Sequence, residues 1–224
     1  MTRAHFESRL DDLTGRLVAM SRMIEGLMET ALEALSERDA NKAEAVIMGD
    51  REIDATEVEI EEECVELMAL QQPMAGDLRR LVAVLKINND LERIGDHAVN
   101  IAETAERLIE RDSDWALPIE LSEAAVIAQG MLRDVLDAFV QHDVAKARDV
   151  TARDDRVDQL HESHLRSAIT MMMESPTKIG TALSFILVGR NIERIADLAT
   201  NIGEDVVYLV EGKMIRHPDV ERES

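Results

Sequence analysis

Apolar positions recur along this chain at steps of three and four residues. Leu10, Leu13, Leu17, Met20, Ile24, Leu27 and Ala31 form one such series, the apolar stripe of a long amphipathic helix. The segment Ser36–Lys42 breaks it, and Asp39 or Asn41 is the cap of a second helix over about residues 40–70. Gln71–Pro73 ends that helix. A third helix is expected over about residues 75–110, with Val84, Ile87, Leu91, Ile94, Ala98 and Ile101 as its seam. At about 1.5 Å per residue, these helices are roughly 45–50 Å long.

Arg111–Pro118 is the best break in the chain, and after it the plan returns. A fourth helix carries Leu121, Ala125, Ala128, Leu132, Val135 and Phe139. His142–Lys146 turns the chain. A fifth runs to about Met173 and ends at Glu174–Pro176. The sixth has the seam Val188, Ile192, Ile195, Ala199, Ile202, Val206 and Leu209. The residues after Glu211 read as a polar, frayed tail.

The second half repeats the first. Leu91–Glu103 reads LERIGDHAVNIAE and Ile192–Glu204 reads IERIADLATNIGE, identical at eight of thirteen positions at an offset of 101. Upstream, Asp39, Lys42, Ala43, Asp50 and Asp54 match Asp143, Lys146, Ala147, Asp154 and Asp158 at an offset of 104. The expected architecture is all-α. Six long helices form two antiparallel three-helix bundles related by a pseudo-twofold, one over residues 1–112 and one over 113–224. A unit of this length used twice is a duplication rather than a solenoid.

Composition narrows the function. The 224 residues carry 46 Asp and Glu against 25 Lys and Arg, a formal charge of −21, with five aromatic residues. The core is therefore aliphatic and Met-rich. Such a surface disfavours binding to nucleic acid, whose phosphates need Lys and Arg, and direct docking on anionic lipid. No run approaches the roughly 18 apolar residues of a membrane helix, and the first ten residues hold no apolar leader core. The single cysteine, Cys64, excludes a disulfide framework and a multi-cysteine zinc site. A cytoplasmic protein is expected.

Some of the acids stand where a core belongs. In the second helix Val46, Asp50, Ile53, Glu57, Ile60, Cys64 and Leu67 keep the apolar step, so Asp50 and Glu57 interrupt a hydrophobic seam. Asp54 lies one turn beyond Asp50 on the same face. In the fifth helix the equivalents are Asp154, Asp158 and His161. In the third and sixth, Glu92, Asp96 and Asn100, and Glu193, Asp197 and Asn201, stack at spacings of four. Crowded carboxylates that lose hydration need a cation, a basic side chain or protonation. Oxygen donors on facing helices suit Mg, Mn, Fe or Zn. Arg93 and Arg194 stand beside the acids and offer ion pairing instead. Recurrence at four equivalent places favours metal. His161 biases the second site towards Fe or Zn. His97 has Leu198 as its counterpart, and His142 and His164 fall in no motif. A carboxylate-bridged metalloenzyme and a metal-free helical adaptor are the alternative readings. No phosphate-cradling loop or nucleophile elbow is present.

With the twice-occurring ERI[GA]D-x-A-x-N-I element, and with Asp77–Asp96 and Glu204–Gly212, the chain resembles the PhoU family over about residues 8–212. The resemblance implies paired three-helix bundles and multinuclear metal sites at E/D-x-x-x-D motifs. These carry over to Asp50, Asp54, Glu92, Asp96 and Asn100, and to Asp154, Asp158, Glu193, Asp197 and Asn201. Here Leu198 stands where many members have His, and His161 replaces an acid. The resemblance also implies a non-catalytic negative regulator of the phosphate-starvation response. Its implied partners are a sensor histidine kinase and the nucleotide-binding subunit of the phosphate ABC transporter. Membrane association is then peripheral, at the inner membrane and through those partners. Exposed aliphatic stripes on long bundles point to a homodimer.

Overall fold

The computed structural model describes residues 3–71, 73–111 and 115–212. The bundle boundary expected at 112/113 and the expected polar tail from 213 onward lie outside those residues. The described chain is all-α. It comprises α1 (Arg3–Glu37), α2 (Ala40–Gln71), α3 (Ala75–Arg111), α4 (Ile119–Gln141), α5 (Val144–Glu174) and α6 (Ile179–Glu211), with a 3₁₀ turn at Pro176–Lys178 before α6. Within the first half α1, α2 and α3 pack on one another, and α4, α5 and α6 do the same in the second. The halves meet where α3 lies along α6 and α1 touches α4.

Two short turns show the duplication at atomic level. Arg38 and His142 both take left-handed backbone conformations, φ 58° and 55°. The next amides, of Asp39 and Asp143, donate back to the carbonyls of Ala34 and Ala138 at 3.0 and 2.9 Å. This six-to-one bond is the Schellman closure of a helix end. Each aspartate then starts the following helix. Asp39 Oδ1 accepts from the Asn41 and Lys42 amides at 2.9 and 3.3 Å, and Asp143 Oδ1 from the Lys146 amide at 3.0 Å. Asp39, rather than Asn41, is the cap. Lys42 and Lys146 reach back to the helix just ended, Lys42 to Glu33 and Glu37 and Lys146 to Asp137.

The seams behave as their periodicity requires, with one shift. In α1 the buried residue between Ile24 and Ala31 is Met28, while Leu27 is only partly covered. Both choices satisfy a three-plus-four step; Leu27 lies against Gly49 of α2, whereas Met28 lies beside Gln129 and Leu132 of α4. Leu209, at the end of the α6 seam, is also only partly buried. One apolar cluster draws on all six helices, so the halves share a continuous core. At the joint, α3 and α6 run antiparallel: Lys86 pairs with Asp205 at 2.9 Å and His97 with Asn191 at 2.8 Å. Trp115, 5% exposed, packs edge-on against Phe185 at 5.7 Å beneath the Arg38 guanidinium.

Candidate metal centres

The first acidic cluster lies where α2 meets α3. Gly95 of α3 allows the approach: a Cβ there would stand 3.4 Å from Asp50 Oδ1. The Asp50 carboxylate therefore rests against the α3 backbone between Glu92 and Asp96. Partial burial pushes its pKa up to about 6, and the charges of Asp54 and Asp96 push the same way. Burial also raises Glu92, reinforced by Asp96, Glu57, Asp54 and Asp50. Glu57 is raised by burial, Glu61 and Asp54. These five acids thus feel one another across two helices. Among the described residues none of the five has a basic side chain within ion-pair distance. Arg93 turns instead to Asp90, at 3.9 Å. Glu57 is steadied by Asn88, whose Nδ2 donates to its carbonyl oxygen at 3.0 Å and to Oε1 at 3.4 Å.

The second cluster repeats this arrangement between α5 and α6. Asp154 is pushed up to about 6, first by burial and then by Asp197, Asp158, Glu193 and Asp155. Its Oδ1 is buried without a hydrogen-bond partner. Glu193 is raised by burial and Asp197, against the opposing charges of Arg194 and His161. Here a cation does intrude. Arg194 bonds Asp197 at 2.9 Å and lies 3.7 Å from Glu193, so ion pairing neutralises part of this cluster. Arg153 is committed elsewhere, to Asp134 at 2.7 Å and Asp149 at 3.3 Å.

The structure thus gathers Asp50, Asp54, Glu57, Glu92 and Asp96 into one cluster, and Asp154, Asp158, Glu193, Asp197 and His161 into the other. Asn100 is exposed, and neither it nor Asn201 has a hydrogen bond tying it to the acids. As the side chains stand, no three His, Cys, Asp or Glu among the described residues converge tightly enough to enclose an ion. The donor sets nevertheless fit one. Asp50, Glu57, Glu92, Asp154 and Glu193 hold their protons harder than usual, the first cluster has no internal counter-charge, and Asp154 presents a buried oxygen without a partner. A bound cation would reverse each of these penalties.

His164 was silent in the sequence. It is 1% exposed on α5, one turn beyond His161. Neither of its ring nitrogens has a hydrogen-bond partner, and His161 Nδ1 has none either. Its place in the repeat was the available signal: its counterpart at an offset of 104 is Ile60, a core residue.

A family model described as "PhoU domain" matches this chain twice, over residues 17–105 and 121–206. The chain is 39% identical over 216 residues to a Clostridium acetobutylicum protein named phosphate-specific transport system accessory protein PhoU homolog, covering 96% of this chain and 98% of that one. A protein of the same name from Aquifex aeolicus is 36% identical, covering 96% and 97%. The crystal structure of PhoU from Pseudomonas aeruginosa superposes with a TM-score of 0.90 at 38% identity, covering 93% of this chain and 100% of that one. The phosphate transport system regulatory protein PhoU from Streptococcus pneumoniae gives 0.86 at 28% identity, covering 94% and 99%.

Proposed function

The chain belongs to the PhoU family, and on that premise we propose that it is a non-catalytic accessory regulator of phosphate-specific transport. It restrains the phosphate-starvation response when phosphate is plentiful. Its partners in this reading are a sensor histidine kinase and the nucleotide-binding subunit of the phosphate ABC transporter, and it works as a homodimer in the cytoplasm. No described helix is long and apolar enough to cross a membrane. A charge of −21 is repelled by anionic lipid and free phosphate, so contact with the inner membrane runs through protein partners.

The same reading assigns the two acidic clusters to metal. Asp50, Asp54, Glu57, Glu92 and Asp96 would hold cations in the first half, and Asp154, Asp158, His161, Glu193 and Asp197 in the second. Asn100 and Asn201 stand one turn further along as reserve oxygen donors. Fe, Zn, Mn or Mg would supply positive charge between helices whose facing carboxylates otherwise repel. The chain's own contribution is to crowd those carboxylates across α2–α3 and α5–α6, so that each pair of helices closes fully only when the charge is answered. The observation that carries this is the twofold occurrence of the cluster, with Asp50 and Asp154 both raised to about 6. Two observations favour the metal-free adaptor: Arg194 already neutralises part of the second cluster, and among the described residues no three ligating side chains converge on one point as they stand.

Deleting the gene and following a phosphate-starvation reporter in high phosphate tests the regulatory role. The reporter should rise, and the intact chain should restore repression. A reporter unchanged by the deletion would overturn the reading.

A further inference from the structure

The two halves differ at one spot in a concerted way. In the first half, Asn88 of α3 bonds Glu57 of α2, and Ile60 fills the core one turn on. The three equivalent positions in the second half are Gly189, His161 and His164. The amide that occupied the helix contact is gone, the acid has become an imidazole, and the core isoleucine has become another. A Cβ on Gly189 would stand 3.2 Å from His161 Nδ1 and 3.2 Å from His164 Cδ2. Leu121 Cδ2 stands closer still, at 3.1 Å, so both rings press on the α6 backbone at Gly189 beside an apolar neighbour. Buried polar groups are ordinarily bonded, and an orphan points to a missing water or ion. Here three ring nitrogens on two neighbouring histidines are buried without partners.

We propose that His161 and His164 form a nitrogen-donor site for a borderline divalent cation of the Zn²⁺ class, a site that the first half of the chain lacks. Imidazole nitrogens suit Zn²⁺, while the all-oxygen cluster of the first half suits harder ions. Glu193 is near enough to feel His161, and Glu120 near enough to act on His164, so each ring has a carboxylate in its surroundings. Burial pushes His164 towards its neutral form, the form that ligates. The Phe185 carbonyl opposes that shift without reaching hydrogen-bond geometry, and it is the group placed to orient the ring once a cation is held. Two protein nitrogens leave the remaining positions to water or to a carboxylate that swings in. Metal selectivity thus differs between two halves built on one plan.

This inference rests on the reading that the acidic clusters bind cations, and one experiment separates the two. The full-length protein is stripped of metal and titrated with Zn²⁺ and with Mn²⁺, while imidazole ¹⁵N shifts and binding isotherms are recorded. Zn²⁺ should move the ring nitrogens of both His161 and His164. His164→Ile, which restores the residue of the first half, should weaken Zn²⁺ binding by about tenfold or more and leave Mn²⁺ binding at Asp50 and Glu92 unchanged. Rings unmoved by Zn²⁺ in the wild-type protein, or an unaltered Zn²⁺ isotherm for His164→Ile, would overturn the site while Mn²⁺ binding left the clusters standing. Failure to bind either ion would remove both readings together. The wild-type spectra decide the matter even if the variant folds poorly.

Discussion

Lys86 of α3 places its Nζ 2.9 Å from Asp205 Oδ1 of α6, and Asp205 is only 2% exposed. The aliphatic stem of Lys86 also brings its ammonium over the Tyr208 ring, 5.6 Å from the centroid. The pair spans the two halves, so it bears on how firmly they are joined rather than on either bundle alone. A hydrogen bond to a charged, buried partner contributes about 1.5–3 kcal/mol. Lys86→Met keeps the stem and deletes the charge. It should lower unfolding stability by about that amount in urea titrations, and a change within error would show that the Lys86 charge adds nothing to the joint.

The raised carboxylates make stability depend on pH in a definite direction. Asp50 and Asp154 stand at about 6 in the folded chain against an ordinary 3.8. A group whose pKa is raised by folding stabilises fully below its unfolded value and loses that contribution as pH rises through the folded one. Metal-free protein should therefore suffer from these two groups above pH ~6. Asp50→Asn with Asp154→Asn should melt higher than the metal-free wild type at neutral pH, with the gap closing towards pH ~4. A gap independent of pH would contradict the burial and charge crowding described for the clusters.

Cation binding should reverse that penalty. Adding Mn²⁺ or Zn²⁺ to metal-free protein should raise the melting temperature, with about 2.7 kcal/mol of stabilisation at a hundredfold excess over Kd. A chelator should undo it. The double variant Asp50→Asn with Asp154→Asn should respond weakly or not at all. An equal response in the variant would place the bound ions elsewhere on this acidic surface.

The duplicated caps offer a test of the repeat itself. Asp39 and Asp143 accept first-turn amides of α2 and α5 in the same way. Loss of an N-cap costs about 1 kcal/mol. Asp39→Ala and Asp143→Ala should each cost about that much, and the double variant about the sum, since distant sites add. Denaturant midpoints with unchanged slopes would report this. A large cost at one cap with none at the other would mean that the turns are not equivalent.

The acidic clusters were legible because carboxylates at seam positions conflict with burial, and the conflict recurs at a fixed offset. Asp50 and Glu57 violate the apolar step of α2, and Asp154 repeats the first violation. The asparagines were less legible. A spacing of four puts Asn100 and Asn201 on the stripe with the acids, yet neither has a hydrogen bond tying it to them. His164 was invisible for the opposite reason. It keeps the apolar step of α5, four residues after Leu160 and four before Ala168, but a lone polar residue on a strongly charged helix does not stand out as buried.

Six helices, their turns and their duplication follow from the chain alone. Periodicity, caps and helix-ending segments act over a few residues, and a repeat needs only self-comparison. Whether Leu27 or Met28 enters the core, and whether Asp39 or Asn41 caps α2, was decided by the fold. Local propensity scarcely separates these pairs, whereas packing against a neighbouring helix does. The same holds for the division of the charge. Arg93 and Arg194 sit beside equivalent acids in sequence, but Arg194 bonds the α6 cluster at Asp197 while Arg93 turns away to Asp90. Burial, counter-charge and the close approach at Gly189 are relations between helices, and they exist only once α3 and α6 have been laid against their partners.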